Sequence, residues 1–148
     1  MRTEVLKPLA GRRLLIGVSG SIAAVKTPQL VSALVKAGAD VRCLVTPSAA
    51  KLVSSLALAS LSRHRCYEEA DGWDSSCSRP LHIELAEWAE LVVLAPLSAS
   101  SLSRWSQGSA DGLLASVLLA CECPVLAAVA MNTAMWSHPA AVSYTHLR

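Results

Sequence analysis

The chain has 148 residues, 53% of them hydrophobic and 16% charged, which excludes a disordered polymer and leaves room for one compact domain. Thirteen Lys and Arg against eleven Asp and Glu give a net charge of +2, scattered along the chain. The footprint of a phosphate-backbone binder is therefore missing, and nucleic acid is not an expected partner. Every apolar run is broken by Ser, Gly, Pro or a charge before the ~20 residues that span a bilayer, so no membrane segment is expected.

With aromatics at 4% and no Phe, the core must be built from Ala, Leu and Val, whose small side chains suit closely packed layers of helix and sheet. The five cysteines are odd in number and show neither CxxC nor zinc spacing, so reduced thiols and no metal are expected. The opening MRTEVLKPLAGRR has no apolar stretch of the secretory kind, and a cytoplasmic protein is expected.

In chain order, residues 13–18 (RLLIGV) predict a strand ending in Ser-Gly-Ser, and 22–37 predict a helix kinked at Pro28, with Thr27 as a cap for its second part. Residues 41–45 predict a second strand, and Thr46-Pro47 starts a helical stretch that runs through Leu61. The polar stretch 68–79 predicts a long surface loop. Beyond it come a helix at 82–89, a strand at 91–95, a turn at 96–101 and helices at 101–107 and 112–120, with Gly108 as a stop and Asp111 as an N-cap. A last buried strand is predicted at 125–129. Apolar strands alternating with helices predict an α/β fold with a doubly wound parallel sheet, covered on both faces. Ligands bind such sheets at the strand C-termini, which selects 19–22, 46–49, 96–101 and 130–136 as candidate site segments.

The turn Gly17-Val18-Ser19-Gly20-Ser21 combines backbone N–H groups, two hydroxyls and a helix start, an arrangement that suits a monophosphate. It has neither the Lys of a triphosphate-binding loop nor the GxGxxG spacing, and the second strand ends in Val45-Thr46-Pro47 without a ribose-binding acid, which disfavours NAD. A tight connection built of small residues is the plainer alternative. His82 is either a general base or a surface residue at a helix start. The Met131–Trp136 segment (MNTAMW) is either a site loop or a core cap, and Cys121-Glu122-Cys123 is read as structural.

Taken together, GVSGSIAAVK (17–26), HIELAEWAELVVLAPLSASS (82–101), SADGLL (109–114) and MNTAMW (131–136) resemble the flavin-containing cysteine decarboxylase family. Within it, the branch that acts on 4'-phosphopantothenoylcysteine in coenzyme A synthesis is the most similar. The resemblance runs over roughly residues 12–142. It implies a Rossmann-like domain holding FMN, with the phosphate near Gly20, Ser21 and Ile22 and further contacts from Thr46, Ser48, Ser98, Ala99, Ser100, Ser101 and Ala130. It further implies His82 as the catalytic histidine and Asn132 as the residue that holds the substrate carboxylate. The implied reaction is decarboxylation to 4'-phosphopantetheine, the cofactor serving as the redox partner. A homotrimer or higher oligomer and a fused or cooperating phosphopantothenate–cysteine ligase are the implied partners.

Flavin prenyltransferases, peptidyl-cysteine decarboxylases and non-catalytic regulatory flavoproteins share the pattern and are the alternatives. The chain departs from it at Ser100 and Gly112, each in place of Asn, and at Val129 in place of the Pro before MNTAMW. The family continues into a lid segment with a reactive Cys. The closing SYTHLR does not follow that pattern, so an incomplete domain after about residue 142, with little turnover of its own, is expected.

Overall fold

A computed structural model describes residues 6–146. Residues 1–5 of the charged N-terminus and 147–148 of SYTHLR lie outside the described residues. The chain runs β1 (Arg13–Val18), α1 (Thr27–Lys36), β2 (Asp40–Val45), α2 (Ser55–Ser62), β3 (Cys66–Tyr67), α3 (Leu81–Trp88), β4 (Leu91–Leu97), α4 (Ala99–Ser106), α5 (Leu113–Ala120), β5 (Val125–Val129), α6 (Thr133–Trp136) and α7 (Pro139–His146). The strands form one sheet in the order β3-β2-β1-β4-β5, and every pair is parallel. The doubly wound α/β fold expected from the sequence is the fold observed. Among the described residues no helix is long and apolar enough to cross a membrane.

Alternation along the strands builds two cores. Leu14, Ile16 and Val18 of β1 and Val41, Cys43 and Val45 of β2 pack with Val31 of α1 and Leu58 of α2. From the opposite face Leu15, Leu44, Val92 and Leu94 pack with Leu85 of α3, Leu102 of α4 and Val117 of α5. Gly17 is required on that second face: a Cβ there would lie 2.8 Å from Leu114 Cδ1 and 2.9 Å from Leu94 Cδ2, so its absence lets α5 settle against β1.

Several local expectations are corrected. Residues 22–37 are a 3-10 turn (Ile22–Lys26) followed by α1, and Thr27 does not cap α1 but opens it. Its hydroxyl crosses to β4 and donates to the Ala95 carbonyl at 2.8 Å, so a tertiary bond displaces the local cap. The stretch from Thr46 to Leu61 is likewise broken: a short 3-10 turn (Ala49–Lys51) precedes α2, which Ser54 caps by accepting from the Ala57 N–H at 3.2 Å. The two-residue strand β3 is too short for periodicity to reveal. The loop at 68–79 contains a 3-10 turn (Glu69–Trp73), fixed by the Glu68 N–H donating to Asp71 at 2.7 Å. Strand β4 continues past Ala95 to Leu97, and Gly112 rather than Asp111 is the N-cap of α5. The last strand is not buried: its residues alternate between half-buried and exposed, and Leu126 is 60% exposed, because no described helix covers the β5 end of that face.

Candidate flavin site

The strand order reverses between β1 and β4, which both leave the central sheet at the same edge and carry their following loops in opposite directions, the place where doubly wound sheets open a crevice. Ser19, 1% exposed, ties the two loops together there. Its hydroxyl donates to the Pro96 carbonyl at 2.7 Å and accepts from the Ser98 N–H at 2.7 Å, while its own N–H donates to Pro96 at 3.1 Å. The β2 loop closes on the same point, with the Thr46 hydroxyl accepting from the Ala49 N–H at 3.2 Å. A Cβ on Gly20 would lie 2.4 Å from the Ser48 Cβ, so the β1 and β2 loops approach closely only because residue 20 has no side chain.

A cleft of about 360 Å³ opens at this junction, lined by Gly20, Thr46, Ser48, Ser98, Ser100 and Ser101 and floored by Leu114, Ala115 and Leu118 of α5. Six of the residues singled out in the sequence thus meet in one place. Ser98 caps α4, accepting from the Ser101 N–H at 3.3 Å, whereas the Ser48 and Ser100 hydroxyls have no hydrogen-bond partner among the described residues and are open to a ligand. Ser21 and Ile22 follow Gly20 in the same turn without lining the cleft, and Ile22 is 74% exposed. Ala130 donates its N–H to the Leu97 carbonyl at 3.0 Å and borders none of the three clefts described.

His82, half-buried in the first turn of α3, lines a second cleft of about 800 Å³ between α3, the 68–79 loop and the start of α5. The two clefts adjoin, sharing Glu69, Asp111 and Gly112 as a common wall. Asn132 does not reach either. It lines a third, largely apolar cleft of about 410 Å³ with Ala99, Met135, His138 and Tyr144. As the N-cap of α6 its Oδ1 accepts from the Met135 N–H at 2.8 Å, which leaves the amide NH₂ as the outward donor. Within one chain, then, His82 and Asn132 stand at separate clefts.

Sequence reasoning missed Glu69 and Arg104. Both line the first cleft, but one sits in a stretch read as loop and the other on the polar side of a helix, positions where a charge ordinarily faces water. Asp111 serves as a clasp instead of a cap: its carboxylate accepts from the Ser109 hydroxyl at 2.9 Å and from Arg104 Nε at 3.2 Å. The Ser109 hydrogen bond and then the Arg104 charge hold its carboxyl below the ordinary Asp range. Cys77 lines the His82 cleft, whereas the buried Cys43 and Cys66 stand apart from it. Burial pushes the Cys43 thiol up to about 12 and the Cys66 thiol up to about 11, which makes both poor nucleophiles at neutral pH.

Comparison with known proteins places this architecture. The Flavoprotein family matches residues 2–146. The coenzyme A biosynthesis bifunctional protein CoaBC of Bacillus subtilis is 42% identical over 132 residues, which are 89% of this chain and 32% of the relative. The chain therefore spans about a third of the length of the curated relatives it matches. Among solved structures, the FMN-dependent cysteine decarboxylase SpaF superposes with a TM-score of 0.87 at 32% identity, covering 94% of this chain and 79% of that one. A cysteine-to-serine mutant of PPC decarboxylase complexed with pantothenoylaminoethenethiol gives 0.84 at 35% identity, covering 93% and 76%. The switch-point cleft, the family match along nearly the whole described chain and the decarboxylase neighbours converge: the chain belongs to the Flavoprotein family, among the flavin-containing cysteine decarboxylases.

Proposed function

We propose that this domain binds FMN in the Gly20–Ser48–Ser98 cleft and decarboxylates 4'-phosphopantothenoylcysteine to 4'-phosphopantetheine. The observation that carries this reading is the cleft at the β1/β4 switch, with unpartnered Ser48 and Ser100 hydroxyls and a backbone brought close by Gly20, adjoining the cleft that holds His82. Glycine where a Cβ would fill the cradle, hydroxyl donors around it and an apolar floor fit a phosphate-bearing planar cofactor. The Gly20 turn and Thr46 and Ser48 would hold the phosphate end, and Ser98 to Ser101 the remainder. Ser21 and Ile22 in the Gly20 turn, Ala99 at the start of α4 and Ala130 just after β5 complete the proposed contact set.

When bound, the flavin would supply a two-electron oxidation of the thiol-bearing carbon, so that the electrons left by departing CO₂ have a thiocarbonyl sulfur to delocalise onto, and would return the two electrons to the decarboxylated enethiol to give 4'-phosphopantetheine. The protein supplies a base and an orientation. His82 makes no hydrogen bond or ion pair to any described residue, so its ring is available to take the proton released in that oxidation. Asn132, its carbonyl committed to the Met135 N–H, offers only its NH₂ outward, the correct polarity for a carboxylate.

Because these two residues line separate clefts of one chain, one substrate meets both only if a second copy supplies one of them. That geometry supports a homo-oligomer, the trimer being the proposed form. The similarity to CoaBC favours the coenzyme A branch, with a phosphopantothenate–cysteine ligase activity as the proposed partner. The likeness to SpaF favours a second substrate, a cysteine of another kind. The purified protein is to be loaded with FMN and offered 4'-phosphopantothenoylcysteine and a peptide ending in cysteine, with CO₂ measured. Release from the first substrate alone, at the low rate expected of this chain, is the expected result, and release from the peptide alone would replace the reading with the second.

A further inference from the structure

Helix α5 begins without a capping side chain of its own. Its N-cap is Gly112, and the cap comes instead from Glu69, 44 positions earlier in the chain. Both carboxylate oxygens accept from the Leu113 N–H, at 3.0 and 3.1 Å. A carboxylate at a helix N-terminus satisfies an otherwise orphaned donor and complements the positive end of the dipole. Gly112 is not there for its backbone: at φ −156° and ψ 169° the residue is extended, a conformation open to any side chain. It is there for its room. A Cβ at 112 would lie 3.3 Å from Glu69 Oε2 and 3.6 Å from Oε1, so a side chain there would crowd the Glu69 carboxylate and make it give by a few tenths of an ångström.

The same carboxylate forms part of the wall between the two adjoining clefts, and the turn it caps carries Leu114 and Ala115, which floor the first of them. Leu114 in turn rests over Gly17 of β1. Whatever fixes the first turn of α5 therefore fixes the floor of one cleft and the rim of the other.

We propose that Glu69 is a positioning residue of the flavin cleft, matched to Gly112: it caps α5 across the loop, and the glycine leaves its carboxylate uncrowded. This inference rests on the reading of that cleft as the FMN site.

The test is a double-mutant cycle on the 148-residue chain, read both by FMN titration and by the unfolding midpoint of the cofactor-free protein. Glu69→Ala removes the cap and weakens FMN binding about tenfold, equivalent to about 1.4 kcal/mol and within the range of a lost N-cap. Glu69→Gln keeps an acceptor for the Leu113 N–H and recovers most of that loss. Gly112→Ser is the diagnostic change, because its sign depends on the background. With Glu69 present, the new Cβ pushes the carboxylate off its bond to the Leu113 N–H by a few tenths of an ångström and weakens FMN binding. With Ala at 69, the serine hydroxyl caps α5 locally and strengthens it, by about threefold in each direction.

An effect of Gly112→Ser that keeps one sign in both backgrounds overturns the matched pair, as does Glu69→Ala binding FMN like the parent. Should Glu69→Ala fail to fold, Gly112→Ser alone still decides, since FMN binding at or above the parent's strength contradicts the proposal. A parent that binds no FMN contradicts the flavin reading instead, and the reversal of sign in the unfolding midpoints then tests the Glu69–Gly112 pair independently.

Discussion

The two halves of the sheet are built differently. Around β1 and β2 both faces are closed: Leu15, Ile16, Val18, Val41 and Cys43 are all fully buried, and the loops that follow are clamped by Ser19, Thr27 and Thr46. Around β5, one face is open at Leu126, and the segment after it presents Met135, Trp136 and Val142 at 44–49% exposure on two short helices. The proposed cofactor cleft opens where this closed half meets the loop after β4, with Ser19 tying the two together. Asn132 belongs to the open half, where exposed apolar groups accompany the amide proposed to hold the substrate carboxylate. A binding surface of that kind gains most from being covered. The contrast supports the proposed division, in which one chain builds the cofactor cleft and a second copy completes substrate capture.

The largest effect should come at the proposed base, which belongs to neither region. Replacing His82 with Asn is expected to lower the rate of CO₂ release about 10²–10⁴-fold while leaving FMN binding unchanged, since general-base contributions are of that size and the residue lines a neighbouring cleft. Steady-state rates on FMN-loaded protein check it, and an undiminished rate removes His82 from the chemistry.

Next, the two halves should differ in stability. Leu94→Ala leaves a cavity between β4 and α5 at a site with no solvent exposure and is expected to cost about 2–5 kcal/mol. Leu126→Ala, at 60% exposure, should cost less than about 0.5 kcal/mol in the isolated chain. Denaturant melts of both variants measure the gap, and equal costs would mean that the open face is covered in solution.

Asn132→Asp sets a carboxylate against a carboxylate and is expected to raise KM about tenfold to a hundredfold with FMN affinity unaltered. A loss of FMN binding in this variant would move Asn132 into the cofactor site.

The smallest effect concerns the clasp at the cleft rim. The Asp111 carboxyl is held below its ordinary range, so its contribution to stability is present above the unfolded Asp value, ~3.9, and is lost as pH falls through the folded value. Asp111→Asn should thus destabilise slightly at neutral pH and not at all in strong acid. Unfolding midpoints of the two proteins that stay parallel across that acid range would contradict the sign.

Much of this was legible in the chain. Apolar runs such as RLLIGV and LVVLA mark strands buried on both faces by composition alone, and six site residues follow strands directly, so strand-end reasoning finds them. What stayed hidden depends on partners far along the chain. Thr27 looks like a cap and bonds to Ala95, 68 positions away. Glu69 looks like a loop residue and caps α5. Val125–Val129 reads as a buried strand because its composition is apolar, yet burial of its second face depends on whether another element covers it, which no local pattern encodes. The separation of His82 from Asn132 is equally non-local, one standing at the start of α3 and the other after β5, in different clefts.

The most direct test is an FMN titration, followed by flavin fluorescence, of the parent chain and of Gly20→Ala. A Cβ at residue 20 meets Ser48 at 2.4 Å and forces the β1 and β2 loops apart, an overpacking cost of about 1–3 kcal/mol. The parent should bind FMN at one site per chain and the variant about tenfold to a hundredfold more weakly. A parent that leaves FMN fluorescence unchanged, or a variant that binds as tightly as the parent, would contradict the assignment of this cleft to the flavin.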